Sequence, residues 1–301
     1  MISYAMISAQ ARERFLASGF LHVPRLLSPS VVQRVAERYQ PLFRGEFETG
    51  IYPDEWHWRE GISRQEATRE ICNAWKSDRT IAAVVLSAQL GRLAASLLGW
   101  PSTRVAQDSV IWKPPGASAV GFHTDAAYIS ENFEPKVDNS VTVWIALDDA
   151  DQTTGMVEHA AGSHRWPRAD PLELAEASFH SSADHRAPVQ HAAAEAGVDL
   201  SVVLSELKVC AGDAVVHHQD TWHGSGPNLS SSRHRRALAV HLLRGDVAFA
   251  SGDSLLGDQR PNYIYGRYKL LGDTGLREQF FPVTFSADVY RSPWIEAYAL
   301  D

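Results

Sequence analysis

The chain has 301 residues, of which 45% are hydrophobic and 21% are charged, a balance typical of globular proteins. Its formal net charge is -8 and it has no basic run, which argues against a nucleic-acid partner, because phosphate binding needs clustered Lys and Arg. A chain of this length buries a large core without a stabilising metal. Any metal site is therefore expected to serve chemistry.

The sequence favours a reducing, aqueous compartment. Cys72 and Cys210 are far apart and lack CxxC spacing, which is typical of free thiols. The first residues lack the cationic and apolar segments of a secretory signal, and no stretch approaches the roughly 20 apolar residues of a membrane span. We expect a cytoplasmic protein with no membrane partner, and the sequence leaves its oligomeric state open.

The first hundred residues predict mainly helices. Ser8 can cap a helix that runs to about Ser18, where Gly19 can end it. A second helix is predicted from Ser28, because apolar residues recur there at helical spacing. The pattern also predicts a helix over about 64–76 and two more over 80–98.

Beyond about residue 104, short β-branched runs alternate with turn residues, which is typical of an antiparallel sandwich or barrel. The predicted fold is mainly β with flanking helices, in a single domain over 1–301. Its parts are a helical region over about 1–100, a β core over about 104–245 and a C-terminal extension over 246–301. An Ala- and His-rich stretch over about 167–200 interrupts the core and is predicted to be a lid-like insertion.

Two residues in the segment GFHTDAAYI suggest a metal site. On a strand, His123 and Asp125 would point to the same face, because side chains alternate along a strand. A third ligand from another strand would complete the 2-His-1-carboxylate triad of iron(II) oxygenases. Taken alone, the pair is better explained by chance occurrence or by an ordinary hydrogen bond within a strand.

A second segment, HGSGPN, supplies the third candidate ligand, His223. It is followed by RRAL, in which Arg235 begins a β-patterned run. An arginine on an inner strand face is costly to bury unpaired. Beside a metal it could hold the distal carboxylate of a dicarboxylic acid in two hydrogen bonds, and Ser225 could donate another.

These motifs, together with KPPG and VTVWIALDDADQTTGMVEHAAGSH, resemble the phytanoyl-CoA dioxygenase family over residues 104–243. The resemblance implies a double-stranded β-helix (a cupin-like jelly roll) with iron(II), 2-oxoglutarate as cosubstrate, and O₂. The residues that match the family's iron ligands are His123, Asp125 and His223. Those that match its 2-oxoglutarate site are Arg235, Ser225, Trp144 and Gln107.

The chain departs from the family pattern in the turn before RRAL. His234 stands at the spacing where the family usually has its arginine, so aligning RRAL places one extra residue in the turn and selects Arg235. Strand alternation would leave Arg233 on the same face. His217, His218 and His241 are predicted to lie in the core or at its rim. His159 and His164 are predicted to form hydrogen bonds in the turn at AGSH, and they are the fallback ligands.

The resemblance implies hydroxylation of a small-molecule or natural-product substrate, with release of succinate and CO₂. Asp125 favours hydroxylation, or desaturation and ring chemistry by the same intermediate, over halogenation, because related halogenases have a small residue at that position. Two alternatives remain: a cupin-type metalloenzyme that does not use 2-oxoglutarate, and a non-catalytic binding protein with the same fold. The first has no need of Arg235 and Ser225, and the intact metal ligands and arginine count against the second.

Aromatic residues are the candidates for contacts with a small-molecule substrate. They are Trp56, Trp58, Trp75 and Tyr128, chosen because aromatic walls with a few polar groups are typical of ligand pockets. The alternative for the three tryptophans is packing of the helical region onto the β core. Tyr263 and Tyr265 could close over the mouth of the site or pack at the surface.

Overall fold

The secondary structure is dominated by antiparallel strands, with most helices before residue 100. The structure is a computed structural model and describes residues 7–168, 184–251, 264–270 and 272–299. The α-helices are α1 (Ala9–Ser18), α2 (Pro29–Phe43), α3 (Arg79–Val85), α4 (Ala88–Leu98), α5 (Ala187–Glu195), α6 (Leu200–Val203) and α7 (Ile295–Tyr298). The strands are β1 (Phe20–Val23), β2 (Glu55–Trp56), β3 (Arg69–Cys72), β4 (Ser102–Lys113), β5 (Val120–His123), β6 (Phe133–Glu134), β7 (Ser140–Ala146), β8 (Val157–Ala160), β9 (Leu204–Glu206), β10 (Ala214–His218), β11 (His223–Ser225), β12 (Arg235–Arg244), β13 (Ala248–Phe249) and β14 (Val283–Ser286).

The described strands form two principal sheets. The main sheet has eight strands in the order β1-β10-β7-β12-β4-β3-β2, with β14 also paired to β4. The small sheet has four strands in the order β5-β11-β8-β9, and β13 pairs with β6. All the pairings between these strands are antiparallel, which confirms the prediction of a mainly β fold with helices. The finer assignment to a jelly roll stays a prediction at this point.

The helices cover the outer face of the main sheet. Side chains of β4, β7, β10 and β12 that point outward share one apolar core with residues of α2, α3 and α4. Tyr39 of α2 also donates its hydroxyl to the carbonyl of Ala237, at 2.6 Å. Because strand side chains alternate, the residues between these outward positions face the small sheet. The site is built on that inner face.

The first helix begins and ends as predicted. Ser8 caps α1 by accepting a hydrogen bond from the Ala11 amide, and Gly19 ends it in the left-handed conformation, with φ of 81°. Strand β1 starts directly after this turn and pairs with β10. The glycine therefore redirects the chain from the helix layer into the main sheet.

The predicted helix over 64–76 is wrong. Residues Arg69–Cys72 form β3, which pairs with β4, and Ala74–Lys76 form one turn of 3₁₀-helix. Ile71 lies opposite Val110 and is fully buried. Burial against a strand remote in sequence has overridden the local helical pattern. The N-terminal hundred residues thus contribute three strands to the main sheet as well as helices.

The lid-like insertion predicted over 167–200 lies partly outside the described residues, which omit 169–183. Its described part contains α5, and α6 begins at its end. In the C-terminal extension, β14 pairs with β4 of the main sheet.

Within the described residues, one stretch, Arg79–Leu98, is long and apolar enough to cross a membrane, and 67% of its most apolar window is buried inside the protein. It comprises two helices, α3 and α4, since Ser87 caps the second. The stretch belongs to the core that covers the main sheet.

We predict that Gly19→Ala destabilises the fold more than Gly50→Ala does. Both glycines have positive φ, but a Cβ at Gly19 would lie 2.5 Å from atoms of His164 and Thr221, whereas Gly50 has nothing within 4 Å. We expect a loss of about 3 kcal/mol for Gly19→Ala and about 1 kcal/mol for the control, because only the first adds a clash to the backbone strain. Urea unfolding monitored by circular dichroism measures both. Equal losses would contradict the clash.

Candidate active site

Three potential metal ligands converge at the edge of the small sheet. His123 is the last residue of β5 and lies opposite His223 of β11 in the antiparallel register. Asp125 begins a 3₁₀ turn, Asp125–Ala127, that leaves the strand. One ligand atom from each of the three residues lies within 4.8 Å of the others. The strand expected to carry both His123 and Asp125 thus ends at His123, and the turn brings the carboxylate to the imidazoles.

Backbone carbonyls orient both imidazoles. The Nδ1 of His123 is 2.8 Å from the carbonyl oxygen of Gly121, and the Nδ1 of His223 is 2.9 Å from that of Thr221. A neutral imidazole that donates from Nδ1 carries its lone pair on Nε2. Both rings are therefore held in the tautomer that binds a metal through Nε2, as partner groups commonly do for metal-binding histidines.

The Asp125 carboxylate is held from the main sheet. Its Oδ2 accepts a hydrogen bond from the Thr142 hydroxyl and lies 3.1 Å from Nε2 of His217. The Thr142 hydroxyl is in turn 2.8 Å from Nδ1 of His241. These contacts leave Oδ1 turned toward the triad, 3.7 Å from Nε2 of His223.

The protonation states suit a divalent metal. Burial lowers the pKa of His123 to about 4, with a further contribution from His223. Burial and the neighbouring His217 lower the pKa of His223 to about 4. Burial alone would raise the pKa of Asp125, but His223 and the hydrogen bonds of His217 and His241 lower it well below its usual range. At neutral pH the site thus offers two neutral imidazoles and one carboxylate.

A second group of potential ligands, Glu55, His57 and Cys72, also lies close together among the described residues. Burial raises the pKa of the Cys72 thiol well above its usual range, which disfavours the thiolate that binds metals. His57 is exposed and pairs with Glu55 at 2.9 Å. The triad around Asp125 is therefore the better candidate metal site.

Next to the triad, two buried basic side chains meet a hydroxyl, and burial together with the adjacent Arg235 lowers the pKa of Lys113 well below its usual range. Arg235 is 2% exposed and its Nη2 lies 3.3 Å from Oγ of Ser225. Lys113, opposite Arg235 in the register of β4 and β12, donates to the same oxygen at 2.8 Å. The guanidinium carbon of Arg235 is 5.5 Å from the centre of the Trp144 ring. This arrangement suits a carboxylate, which accepts hydrogen bonds and carries the opposite charge.

The neighbouring residues of the turn face elsewhere. Arg233 has an exposed side chain and makes two hydrogen bonds to Asp151. His234 accepts a hydrogen bond from the indole of Trp112, on the outer side of the sheet. Among the arginines at the start of β12, Arg235 is therefore the one directed to Ser225.

These placements accompany a family match. The chain matches the phytanoyl-CoA dioxygenase (PhyH) family over residues 15–237. It belongs to this family. Its similarity also extends to the probable alpha-ketoglutarate-dependent hypophosphite dioxygenase of Stutzerimonas stutzeri, 25% identical over 87% of this chain and 87% of that protein.

Solved structures show that the fold is shared. The non-heme alpha ketoglutarate dependent carbocyclase SnoK from nogalamycin biosynthesis is 21% identical, with 92% of this chain and 96% of that chain covered and a TM-score of 0.65. The epimerase SnoN, solved with Fe3+, alpha ketoglutarate and nogalamycin RO, is 19% identical, with coverages of 91% and 97% and a TM-score of 0.64.

Hydrogen bonds of Asn228 connect the segments HGSGPN and KPPG. Asn228, at the end of HGSGPN, donates from its side chain to the carbonyls of Lys113 and Arg233. Its backbone exchanges hydrogen bonds with Gly116 and Ala117, at the end of KPPG. The turn that follows Ser225 is thereby fixed to the strand end that carries Lys113.

The other residue predicted beside the cosubstrate, Gln107, lies on the same inner face. It is buried, and its amide nitrogen is 3.3 Å from Oγ of Ser109. Tyr265 is buried too and donates its hydroxyl to Gln107 at 3.0 Å, so it packs inside rather than at the surface. Tyr263 lies outside the described residues.

The four predicted substrate residues lie in different places. Tyr128 is beside the triad, with its ring centre 6.2 Å from that of His123. Trp58 and Trp75 are 3% exposed and belong to the apolar core under the helices. Trp56, partly buried, packs on Phe47 in the same region. Packing accounts for the three tryptophans, and substrate contact by any of the four stays a prediction.

Sequence reasoning missed three polar residues of the site, Lys113, Thr142 and His217. Alternation could have found the first two, since Lys113 lies six residues after Gln107 and Thr142 two residues before Trp144. His217 was assigned to the core or rim. Its contact with Asp125 depends on the approach of the two sheets, which the sequence alone does not reveal.

We predict that Thr142→Val weakens metal binding about 10- to 100-fold, the range found for partners that orient metal ligands. The substitution keeps the side chain's shape but removes the hydroxyl that holds Oδ2 of Asp125. Anaerobic titration with iron(II) measures the affinity. Thr103→Val is the control, because that buried hydroxyl pairs with Thr284 instead. Wild-type affinity in Thr142→Val would contradict the role of the hydroxyl.

Proposed function

We propose that the chain is an iron(II)- and 2-oxoglutarate-dependent dioxygenase that hydroxylates a small organic substrate. The observation that carries this proposal is the combination of the triad, ionised as a metal requires, with a buried arginine and a serine next to it. Membership of the PhyH family supports the same activity. The alpha-ketoglutarate-dependent relatives, SnoK and SnoN among them, support the cosubstrate.

We infer that the two principal sheets are the two halves of a jelly roll within one domain. Strands from the N-terminal region, the central region and the C-terminal extension all enter the main sheet, which supports a single unit. The contacts of Asp125 and Ser225 with the main sheet support the face-to-face packing of the sheets.

In this proposal, His123, Asp125 and His223 hold iron, and Arg235 and Ser225 hold the distal carboxylate of 2-oxoglutarate. Trp144 and Gln107 line the space between them. The bound metal and cosubstrate would supply oxygen activation: O₂, 2-oxoglutarate and R–H give R–OH, succinate and CO₂. The chain's own residues keep the imidazoles neutral, fix Oδ2 of Asp125 and bury the carboxylate site away from water.

A carboxylate at position 125 supports oxygen transfer, because it fills the place that a halide would need. The same fold serves an epimerase and a carbocyclase in the structures above, so the product must be measured. We expect a metabolite panel incubated with iron(II) and 2-oxoglutarate to release succinate with one substrate, whose product gains one oxygen atom. A product of unchanged mass, or one that has lost two hydrogen atoms, would contradict hydroxylation.

We predict that Arg235→Ala weakens 2-oxoglutarate binding about 10- to 100-fold, because a charge-assisted pair to a buried carboxylate is lost. Anaerobic titration of the iron(II) protein measures the binding, through the weak visible charge-transfer band of the chelate. Arg233→Ala is the matched control, since its exposed side chain pairs with Asp151. An absent band in the wild type, or an undiminished affinity in Arg235→Ala, would overturn the proposed cosubstrate.

A further inference from the structure

Behind Asp125, two buried histidines form a chain of hydrogen bonds, and the second of them has no role in the function proposed so far. His217 of β10 is 1% exposed and lies between Asp125 and His159 of β8, which is fully buried. The Nε2 of His217 is 3.1 Å from Oδ2 of Asp125, and its Nδ1 is 3.4 Å from Nε2 of His159. The chain therefore starts at a candidate metal ligand and ends at a second imidazole behind the first.

The ring of His159 is held in place by its neighbours. Phe20 of β1 stacks on it, with ring centres 4.8 Å apart and planes 20° apart. His223 lies opposite His159 in the register of β8 and β11, with ring centres 6.0 Å apart. The sequence suggests His159 as a fallback ligand, but in the part of the chain that the structure describes it is not among the residues whose ligand atoms converge. Its Nε2 faces His217 instead.

The other ring nitrogen of His159 sets the direction of these hydrogen bonds. This Nδ1 is buried and has no hydrogen-bond partner among the described residues. Buried N–H groups without an acceptor are rarer in proteins than buried acceptors without a donor. Burial, His217 and His223 lower the pKa of His159 well below its usual range, so the ring carries a single proton. That proton therefore lies on Nε2, which donates to Nδ1 of His217.

The carboxylate of Asp125 imposes the same direction from the other end. An ionised carboxylate only accepts hydrogen bonds, so Nε2 of His217 must donate to Oδ2. The Nδ1 of a neutral His217 then keeps its lone pair and accepts from His159. A proton on Nδ1 of His217 would instead force the proton of His159 onto the nitrogen that has no partner. The hydrogen bond at one ring nitrogen thus decides the state of the other, as is usual for histidine.

We propose that His159 is a positioning residue of the candidate metal site, which holds His217 in the orientation and tautomer that donate to Asp125. This inference rests on the proposed function, in which Asp125 holds iron. Thr142 donates to the same oxygen as His217, so that two donors occupy Oδ2 and leave Oδ1 for the metal. His159 acts on the metal only through His217 and Asp125, and the chain passes from the small sheet to the main sheet and back.

Nitrogen-15 NMR of the metal-free protein, labelled in the histidine rings, tests the tautomers. In the wild type we expect the protons of His159 and His217 to lie on Nε2, with resonances assigned from His159→Phe and His217→Phe. His159→Phe keeps a ring against Phe20 but removes the donor, so Nδ1 of His217 should lose the chemical shift of a hydrogen-bonded acceptor. His159→Gln should keep that shift, because its amide nitrogen can donate from about the place of Nε2.

Anaerobic titration with iron(II) measures the consequence for the metal. For His159→Phe we expect the affinity to fall about three- to tenfold, less than for a group that touches a ligand directly, because His159 acts through His217. His159→Gln should keep most of the affinity. His234→Phe is the control, since it removes an imidazole on the outer side of the main sheet, where His234 accepts from Trp112. It should bind iron(II) like the wild type.

The remaining outcomes separate the role of His159 from the proposed function. A wild-type His217 that carries a proton on Nδ1 would overturn the proposed direction of the chain. Wild-type affinity in His159→Phe, or a loss that His159→Gln does not reduce, would overturn the role of His159 while leaving the proposed function intact. A wild-type protein that does not bind iron(II) would overturn the proposed function and, with it, the positioning role of His159.

A second pair of variants applies if His159→Phe fails to fold, as judged by circular dichroism. His159→Gln and His159→Asn are both polar, but only the longer side chain can bring its amide nitrogen to Nδ1 of His217. We expect the Asn variant to bind iron(II) more weakly than the Gln variant. Equal affinities would overturn the role of His159.

Discussion

The hydrogen bonds to Oδ2 of Asp125 are the contacts on which the site depends. The aspartate follows the last residue of β5 in the small sheet, whereas Thr142 and His217, which hold it, lie in the main sheet. The position of the carboxylate relative to His123 and His223 is therefore set by the packing of one sheet on the other. A network of this kind, buried and satisfied, also fixes the distance between the sheets.

A second contact between the sheets, around Ser225, has the opposite electrostatic character. Near Asp125 a carboxylate is surrounded by imidazoles, while near Ser225 two basic side chains share a hydroxyl. A ligand that binds a metal through one end and carries a carboxylate at the other would satisfy both regions. The proposed cosubstrate has this distribution of charge, and the apolar ring of Trp144 lies beside Arg235. The fold thus separates the candidate metal ligands from the pair of basic side chains by placing them at two junctions of the same two sheets.

Local patterns predicted the parts of the fold that depend on nearby residues. The capped helix that ends at Gly19 and the strands around residue 104 follow from spacing and turn chemistry. The segment Arg69–Cys72 was assigned to a helix, because its strand character comes from pairing with β4. The tryptophans illustrate the same limit. Aromatic residues such as Trp58 and Trp75 are typical of ligand pockets, yet these two pack under the helices through contacts with residues remote in sequence.

The register between β4 and β12 places Lys113 beside Arg235, a proximity that the sequence alone does not reveal. Nothing local places Lys113 opposite Arg235, since the two residues belong to strands far apart in sequence. Like charges directly opposite each other on antiparallel strands destabilise a sheet, and here burial and Arg235 lower the pKa of Lys113 well below its usual range. An anion between the two side chains would turn this repulsion into attraction. The lysine and arginine are consequently better explained by a ligand that the chain binds than by the stability of the chain alone.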